Sequence, residues 1–275
     1  LTLVEDAGRP GLAAQGVGAS GAFDRSALRA NHALLGNHAG AAVLETIGGG
    51  LRLRATHDHV LAVTGAVGPL WVDAVPVAPG RAVRVSAGSV LEVGPPVLGL
   101  RSYVGVAGGL DVTPVLGSRS ADAMSRLGPD ALVAGRRLGV GVGHGVPTLR
   151  EALSPLGAGD VTVELVPGPR DDWFTAAGLR QLFTAGWSVS ERSDRIGVRL
   201  DGTPIERAVN GELPSEPCVR GSVQVTSSGQ PVVLGPDHPV TGGYPVIGVV
   251  VRRDVDRLGQ VRPGQTVRFR RALPH

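Results

Sequence analysis

Short, valine-rich apolar runs recur along the chain, each bounded by Gly, Pro or Asp. The first group occupies 61–64, 70–77, 82–85, 90–93 and 101–106. The second occupies 161–166, 187–190, 197–200, 223–226, 231–234, 246–251 and 266–270. Runs this short, β-branched and closed by turn residues predict strands, and their frequent 8–12-residue spacing predicts a barrel or sandwich. Helical periodicity is confined to a few places. Asp24 can cap a segment whose Ala27, Ala30, Leu34 and Leu35 recur at helical spacing and which stops at Gly36. Thr175 or Asp172 can cap a second segment carrying Leu179, Leu182 and Phe183 and ending at Gly186, and a shorter turn is expected over 255–258. The pattern fades between 139 and 155, where glycines crowd. We therefore expect a β domain over 1–140, a Gly/Pro-rich connection over 141–159 and a second β domain over 160–275.

Composition sharpens this picture. Hydrophobic residues make up 42% and charged residues 19% of the 275 residues, with 42 Gly, 21 Pro and only 3% aromatics. That is a globular composition whose core must be built from Val, Leu and Ala. The chain contains no lysine, so all 27 basic residues are arginine, and the net charge is only +3. Arginines scattered among acids read as a solvated surface rather than a nucleic-acid footprint. The missing lysine excludes a Schiff-base or pyridoxal-phosphate mechanism, a Walker-A loop and a biotin attached to this chain. A single cysteine, Cys218, permits no internal disulfide and suits a reducing cytoplasm. No apolar run approaches the ~20 residues of a membrane span. No secretory signal pattern precedes the first motif, and a few residues are expected ahead of Leu1.

The common catalytic signatures are missing. No serine is flanked by glycines two residues away on both sides, as a nucleophile elbow requires. The glycines of 139–145 lack the third position of a dinucleotide fingerprint and precede no helical pattern, so they read as a linker. His57 and His59, two apart on an expected strand, would share a face, but nothing completes a zinc set and no metal site is expected. Cys218 reads as a buried structural thiol.

Several ordered segments are more specific. Asp6-Ala7-Gly8-Arg9-Pro10-Gly11 is followed by Gly16-Val17-Gly18-Ala19-Ser20-Gly21-Ala22-Phe23-Asp24, Ala30-Asn31-His32-Ala33-Leu34-Leu35-Gly36-Asn37 and Leu44-Glu45-Thr46. Later come Leu116-Gly117-Ser118-Arg119-Ser120, Ser193-Asp194-Arg195-Ile196-Gly197, Gly221-Ser222-Val223-Gln224-Val225 and Thr241-Gly242-Gly243-Tyr244-Pro245. From about Asp6 to Arg270 the chain resembles the allophanate hydrolase subunit 2, or KipA-like, family, also known as the 5-oxoprolinase C-subunit family. It is similar to half of the carboxyltransferase domain of urea carboxylase. Departures at Glu5, Ala121 and Val240, and after Arg126, bear on fine substrate specificity.

The resemblance implies a mainly β, cyclophilin-like barrel architecture, in two barrel-like halves with a few short helices, and pairing with a KipI-like partner subunit. A third subunit stays open. Three functions follow from it. The first is one subunit of an ATP-dependent 5-oxoprolinase, using ATP with Mg in the assembled enzyme to open a cyclic amide. The second is carboxyl transfer to urea or a related amide from carboxybiotin on a separate carrier. The third is a non-catalytic regulator that sequesters a kinase-inhibiting partner. An amide ligand offers N–H donors and a carbonyl acceptor, so a site needs a carboxylate and a polarising donor. Asp194 is the expected N–H acceptor, Arg195 its charged partner and Tyr244 a further catalytic candidate. Gln224, Ser118, Arg119, Asp6, Arg9, Asp24 and Asn31 are the substrate-binding candidates. Ser118 and Arg119 would offer an anion-binding turn. Caps and turns that hold the barrel rim are the structural alternative for Asp6, Arg9, Asp24 and Asn31.

Overall fold

The computed structural model describes residues 1–143, 145–148, 157–209, 211 and 213–272. Of the expected connection over 141–159, residues 144 and 149–156 lie outside the described residues. The chain divides into two compact units. The first gathers Leu1–Pro10, Ser20–Asp122 and Arg126–Leu156; the second gathers Gly11–Ala19, Ala123–Ser125 and Gly157–His275. The protein is mainly β, with three α-helices among the described residues. None of these is long and apolar enough to cross a membrane.

The first unit runs β1 (Thr2–Glu5), α1 (Arg25–Leu35), β2 (Val43–Ile47), β3 (Leu51–Arg54), β4 (His59–Val67), β5 (Leu70–Val72), β6 (Val75–Val77), β7 (Ala82–Val85), β8 (Val90–Val93), β9 (Leu98–Val106), β10 (Leu110–Asp111) and β11 (Gly139–Val140). Its strands separate into a five-stranded sheet, β1-β2-β9-β4-β7, a four-stranded sheet, β3-β8-β5-β6, and the small β10-β11 pair. The inner faces of the two larger sheets meet in an aliphatic core that includes Leu44, Leu61, Val63, Leu91, Val93, Val104 and Val106. The other face of the five-stranded sheet is covered by α1, where Leu28 packs with Val43 and Tyr103, and Leu34 and Leu35 pack with Ala62. Alternation along a strand sends Leu61 and Val63 one way and Ala62 and Thr64 the other, so β4 and β9 are buried on both faces.

Helix α1 forms as its punctuation predicts. The Asp24 carboxylate accepts the Ala27 N–H, and Gly36 closes the helix in the left-handed region at φ 65°. The helix lies very close to the sheet at Gly105, where an added Cβ would fall 1.9 Å from Asn31 Oδ1 and 2.9 Å from Leu35 Cδ1. The expected 70–77 strand is in fact a hairpin. Asp73 and Ala74 take φ of 49° and 64°, turning the chain between β5 and β6. A two-residue loop with both residues left-handed matches the twist of paired strands. Asp73 is held there because its carboxylate accepts the Val90 N–H at 2.8 Å. The strands β1, β2 and β3 lie outside the sequence-predicted set.

The second unit contains β12 (Val161–Pro167), α2 (Ala176–Thr184), β13 (Trp187–Val189), β14 (Gly197–Asp201), β15 (Glu216–Pro217), β16 (Ser222–Val225), β17 (Pro231–Leu234), β18 (Thr241–Gly242), β19 (Val246–Val250), α3 (Arg252–Leu258) and β20 (Thr266–Arg271). Among the described residues, seven strands close a barrel in the order β12-β19-β16-β17-β14-β13-β20. Every pairing is antiparallel except β12 with β20, which is parallel and seals the ring. Alternate positions are buried, such as Val163 and Leu165, Trp187 and Val189, Val198 and Leu200, and Val267 and Phe269. That period of two is what a closed barrel asks of its strands. Helix α2 is capped by the Thr175 hydroxyl, which accepts the Gly178 N–H, and it packs on β20. Helix α3 reaches β12 through Asp254, whose carboxylate accepts the Glu164 N–H at 2.7 Å.

Because Gly105 leaves no room for a methyl group, Gly105→Ala is expected to destabilise the protein by about 1–3 kcal/mol, the usual cost of overpacking. A urea titration would show this as a lower midpoint with an unchanged slope. An unchanged midpoint would mean that α1 is not held against the strand at this point.

Candidate functional site

The sequence-predicted residues fall into four clusters, two in each unit. In the first unit Asp6, Arg9, Ser118 and Arg119 come together. The Asp6 carboxylate accepts from the Ser118 hydroxyl at 2.6 Å, the Ser120 hydroxyl at 2.7 Å, the Gly8 N–H at 2.8 Å and the Arg119 N–H at 2.7 Å. Arg9 is 2% exposed and donates to the carbonyls of Ser120 and Val115. Every one of these bonds joins segments more than a hundred residues apart, except the local one to Gly8. The Ser118 hydroxyl is consumed by Asp6 and Ser118 is fully buried, so it does not present itself to a ligand. The Arg119 side of the turn differs. It lines a cavity of about 280 Å³ with His38, Gly108, Gly109 and Asp111. Guanidinium, imidazole and carboxylate around so small a space suit a compact polar molecule.

Asp24 caps α1 and Asn31 sits on it, and both serve the fold. Asn31 Nδ2 donates to the carbonyls of Ala62 at 2.9 Å and Tyr103 at 3.0 Å, bridging β4 and β9. The backbone N–H of Asp24 donates to the Tyr103 hydroxyl at 2.7 Å, which donates in turn to Glu45 Oε2 at 2.8 Å. Glu45 also accepts the Phe23 N–H at 2.9 Å, and the Arg101 guanidinium lies 4.4 Å from the Phe23 ring centroid. Burial, reinforced by the Glu45 charge, pushes the Tyr103 hydroxyl well above its ordinary pKa, so it stays a neutral donor. On the same helix, His32 Nε2 lies 2.9 Å from the Ala41 carbonyl, and burial holds this imidazole below its ordinary value.

In the second unit Asp194 and Arg195 are neighbours with different tasks. Asp194 is exposed; its Oδ1 accepts the Ile196 N–H at 2.8 Å and the Gly197 N–H at 3.0 Å, forming the turn that starts β14. Its Oδ2 has no partner among the described residues. Arg195 turns inward, 3% exposed, and makes a two-pronged pair with Asp237 at 2.8 and 3.0 Å. The same Asp237 accepts the Ala123 N–H at 3.0 Å. The residue pairs Gly197–Leu234 and Val198–Val233 place this turn where β14 begins and β17 ends.

Gln224 and Tyr244 are brought together through backbone. Gln224 is buried, and its amide nitrogen lies 3.3 Å from the Tyr244 carbonyl and 3.4 Å from Cys218 Sγ. Gly242 is needed beside it, since a Cβ there would fall 2.4 Å from Gln224 Nε2. Tyr244 is 45% exposed, and its hydroxyl has no partner among the described residues. Burial first, and Glu216 second, raise the Cys218 thiol pKa, which keeps it protonated and unreactive. His57 lies in a bend rather than on a strand, while His59 opens β4; their ring centroids are 6.4 Å apart. Sequence reasoning missed Asp237 and the glycine-lined cavity, and it marked Glu45 only as part of a motif, without a role. The Gly235-Pro236-Asp237 turn was the available sign of the first.

The buried Arg195–Asp237 pair leads to a direct test. Arg195→Met strands the Asp237 carboxylate, and about 3–5 kcal/mol of stability is expected to be lost, with partial recovery on adding Asp237→Asn. Thermal unfolding reads the difference. A single variant that melts with the parent would overturn the structural role given to Arg195.

Comparison with known proteins follows the same lines. The family model for the carboxyltransferase domain, subdomain A and B, matches residues 15–271. The chain is 36% identical to the C subunit of 5-oxoprolinase from Escherichia coli (strain K12), covering 98% of this chain and 87% of that protein. It is 33% identical to the corresponding 5-oxoprolinase C subunit of Haemophilus influenzae, covering 97% of this chain and 86% of that one. Among solved structures, the K. lactis urea amidolyase superposes with a TM-score of 0.90 at 28% identity, over 98% of this chain but only 18% of that chain. The chain thus spans most of its bacterial relatives and about a fifth of the larger yeast enzyme. From this match over nearly its whole length, the chain belongs to the carboxyltransferase family of subdomains A and B.

Proposed function

We propose that this protein is the C subunit of an ATP-dependent 5-oxoprolinase, working with a KipI-like partner subunit to open 5-oxoproline to glutamate. The observation that carries this reading is the 36% identity to the Escherichia coli protein over nearly the full length of both chains. In the net reaction water adds across the ring C–N bond, giving a second carboxylate and a free amine, and ATP hydrolysis drives it. Among the described residues no group of three or more His, Cys, Asp or Glu side chains could hold a metal ion. The magnesium that accompanies the nucleotide is therefore not assigned to a cluster of these side chains.

Asp194 is the group we assign to the lactam N–H. Its Oδ1 is fixed by two backbone donors, which leaves Oδ2 aimed by a rigid turn and open to accept. Tyr244 is not assigned to the same ring, because it leads into β19 beyond the Gln224–Val246 end of β16, whereas the Asp194 turn lies at the opposite, Leu234 end of β17. Gln224 acts as a positioning residue for the Tyr244 segment, because its amide nitrogen is committed to the Tyr244 carbonyl and to Cys218. Arg195 acts through Asp237 and holds the turn from which Asp194 projects.

A second reading has its own support. The 0.90 TM-score to the K. lactis urea amidolyase favours carboxyl transfer to urea or a related amide. A lysine-free chain cannot carry biotin itself, so that reading requires carboxybiotin on a separate carrier.

The two are separated by copurifying the chain with its KipI-like partner, and with any third subunit, then assaying 5-oxoproline-dependent ATP hydrolysis. Turnover is expected. Silence with 5-oxoproline together with biotin-dependent consumption of urea would establish the carboxyltransferase, and tight partner binding without either activity would establish a regulator. Within the active complex, Asp194→Asn keeps an Oδ1 acceptor for the turn but removes the charge. Turnover is expected to vanish while the complex still assembles, and unchanged activity would refute the assignment.

A further inference from the structure

Between the two larger sheets of the first unit lies a cavity of about 630 Å³. Well-packed interiors leave few voids larger than a water molecule, whereas ligand pockets occupy roughly 300–1,000 Å³. Its floor is made of core aliphatics, among them Leu61, Val85, Val104, Val106 and Leu110. Its rim carries Arg54, His57, His59, Arg136 and Arg137, and Arg52 also contributes. Among the described residues, no Asp or Glu lines it.

The rim cations are not equally available. Arg52 pairs with Glu92 at 2.8 Å, and Arg54 donates to the Gly88 carbonyl at 2.8 Å. Arg136 and Arg137 are exposed, and their guanidinium groups have no partner among the described residues. They follow Gly135 and precede Leu138, which packs back onto the same aliphatic core. The segment therefore holds one apolar foot in the floor and two open guanidinium groups at the edge. A guanidinium fork matches a carboxylate in shape and charge, and desolvation against aliphatic walls strengthens that pairing.

We infer that this cavity is a binding site for a small amphipathic carboxylate, with its apolar body between the sheets and its carboxylate at Arg136 and Arg137. The site is independent of the Asp194 chemistry, and it stands whether or not the assembled enzyme opens 5-oxoproline. An inorganic anion fits less well, since it would leave the aliphatic floor unfilled. A neutral lipid fits less well, since nothing would answer the two guanidinium groups.

Titration calorimetry on the full chain tests this with decanoate as the probe, and with acetate and decanol as controls for head and tail. Decanoate is expected to bind saturably at one site per chain. Acetate and decanol should each be at least about tenfold weaker, since either the apolar burial or the charge-assisted hydrogen bonds are lost. The exposed pair Arg136→Ala with Arg137→Ala should weaken decanoate about tenfold without moving the melting temperature, and Arg136→Lys with Arg137→Lys should restore much of the loss because charge is retained. Decanol binding as tightly as decanoate would overturn the inference. So would decanoate binding that ignores the double alanine variant, that takes up several molecules per chain, or that fails to saturate.

Discussion

Strands β4 and β9 must satisfy two cores at once, and much of the first unit follows from that demand. On one side they face the aliphatic filling between sheets, and on the other they carry α1. A strand buried on both faces cannot send its unpaired polar groups to water. The helix supplies what water would have supplied. Asn31 answers the carbonyls of Ala62 and Tyr103, and the Thr64 hydroxyl answers the Ala27 carbonyl at 2.8 Å. The Tyr103 hydroxyl joins the helix N-terminus to Glu45. These bonds are worth more as register marks than as energy, because each fixes one turn of α1 opposite one position of a strand. The same close approach explains why residue 105 has no side chain.

The second unit solves a related problem by closure. A ring of strands has no free edge, and the cost appears instead at the turns between strands. One of these turns is stiffened by the Arg195–Asp237 pair, whose charges are almost entirely removed from solvent. A buried pair of this kind adds little net stability relative to apolar packing, but it fixes the geometry around it. That separation of labour, an inward arginine holding an outward aspartate, gives an exposed carboxylate a rigid mount without burying it. The Gln224 amide does similar work for the loop carrying Tyr244.

What could be read from the sequence depended on whether a signal was local. Helix α1 was legible because Asp24 and Gly36 mark both ends. Most strands of the second unit were legible because a closed barrel buries alternate positions. Strand β2 was not, since Glu45 and Thr46 are polar residues that the fold buries, so no alternation survives. The β5–β6 hairpin was read as one strand because Asp73-Ala74 lacks the glycine that usually announces such a turn. The site was harder still. Arg195 and Asp237 are 42 residues apart, and the bonds to Asp6 from Ser118 and Ser120 span 112 and 114 residues. The family resemblance marked these positions apart from Asp237, but which of them touch a ligand and which hold other residues is decided by burial and by partners distant in the chain.

The parallel seam between β12 and β20 has a consequence for the order of folding. The ring can be sealed only by its final strand, which pairs with β12 from Val161–Val267 to Leu165–Arg271 and with β13 through Trp187–Val267. Until β20 docks, the six earlier strands can form only an open sheet whose two edges, β12 and β13, lack their shared neighbour. An exposed edge is a template for unwanted pairing, so the folding chain passes through a vulnerable interval that ends only when those few residues pair.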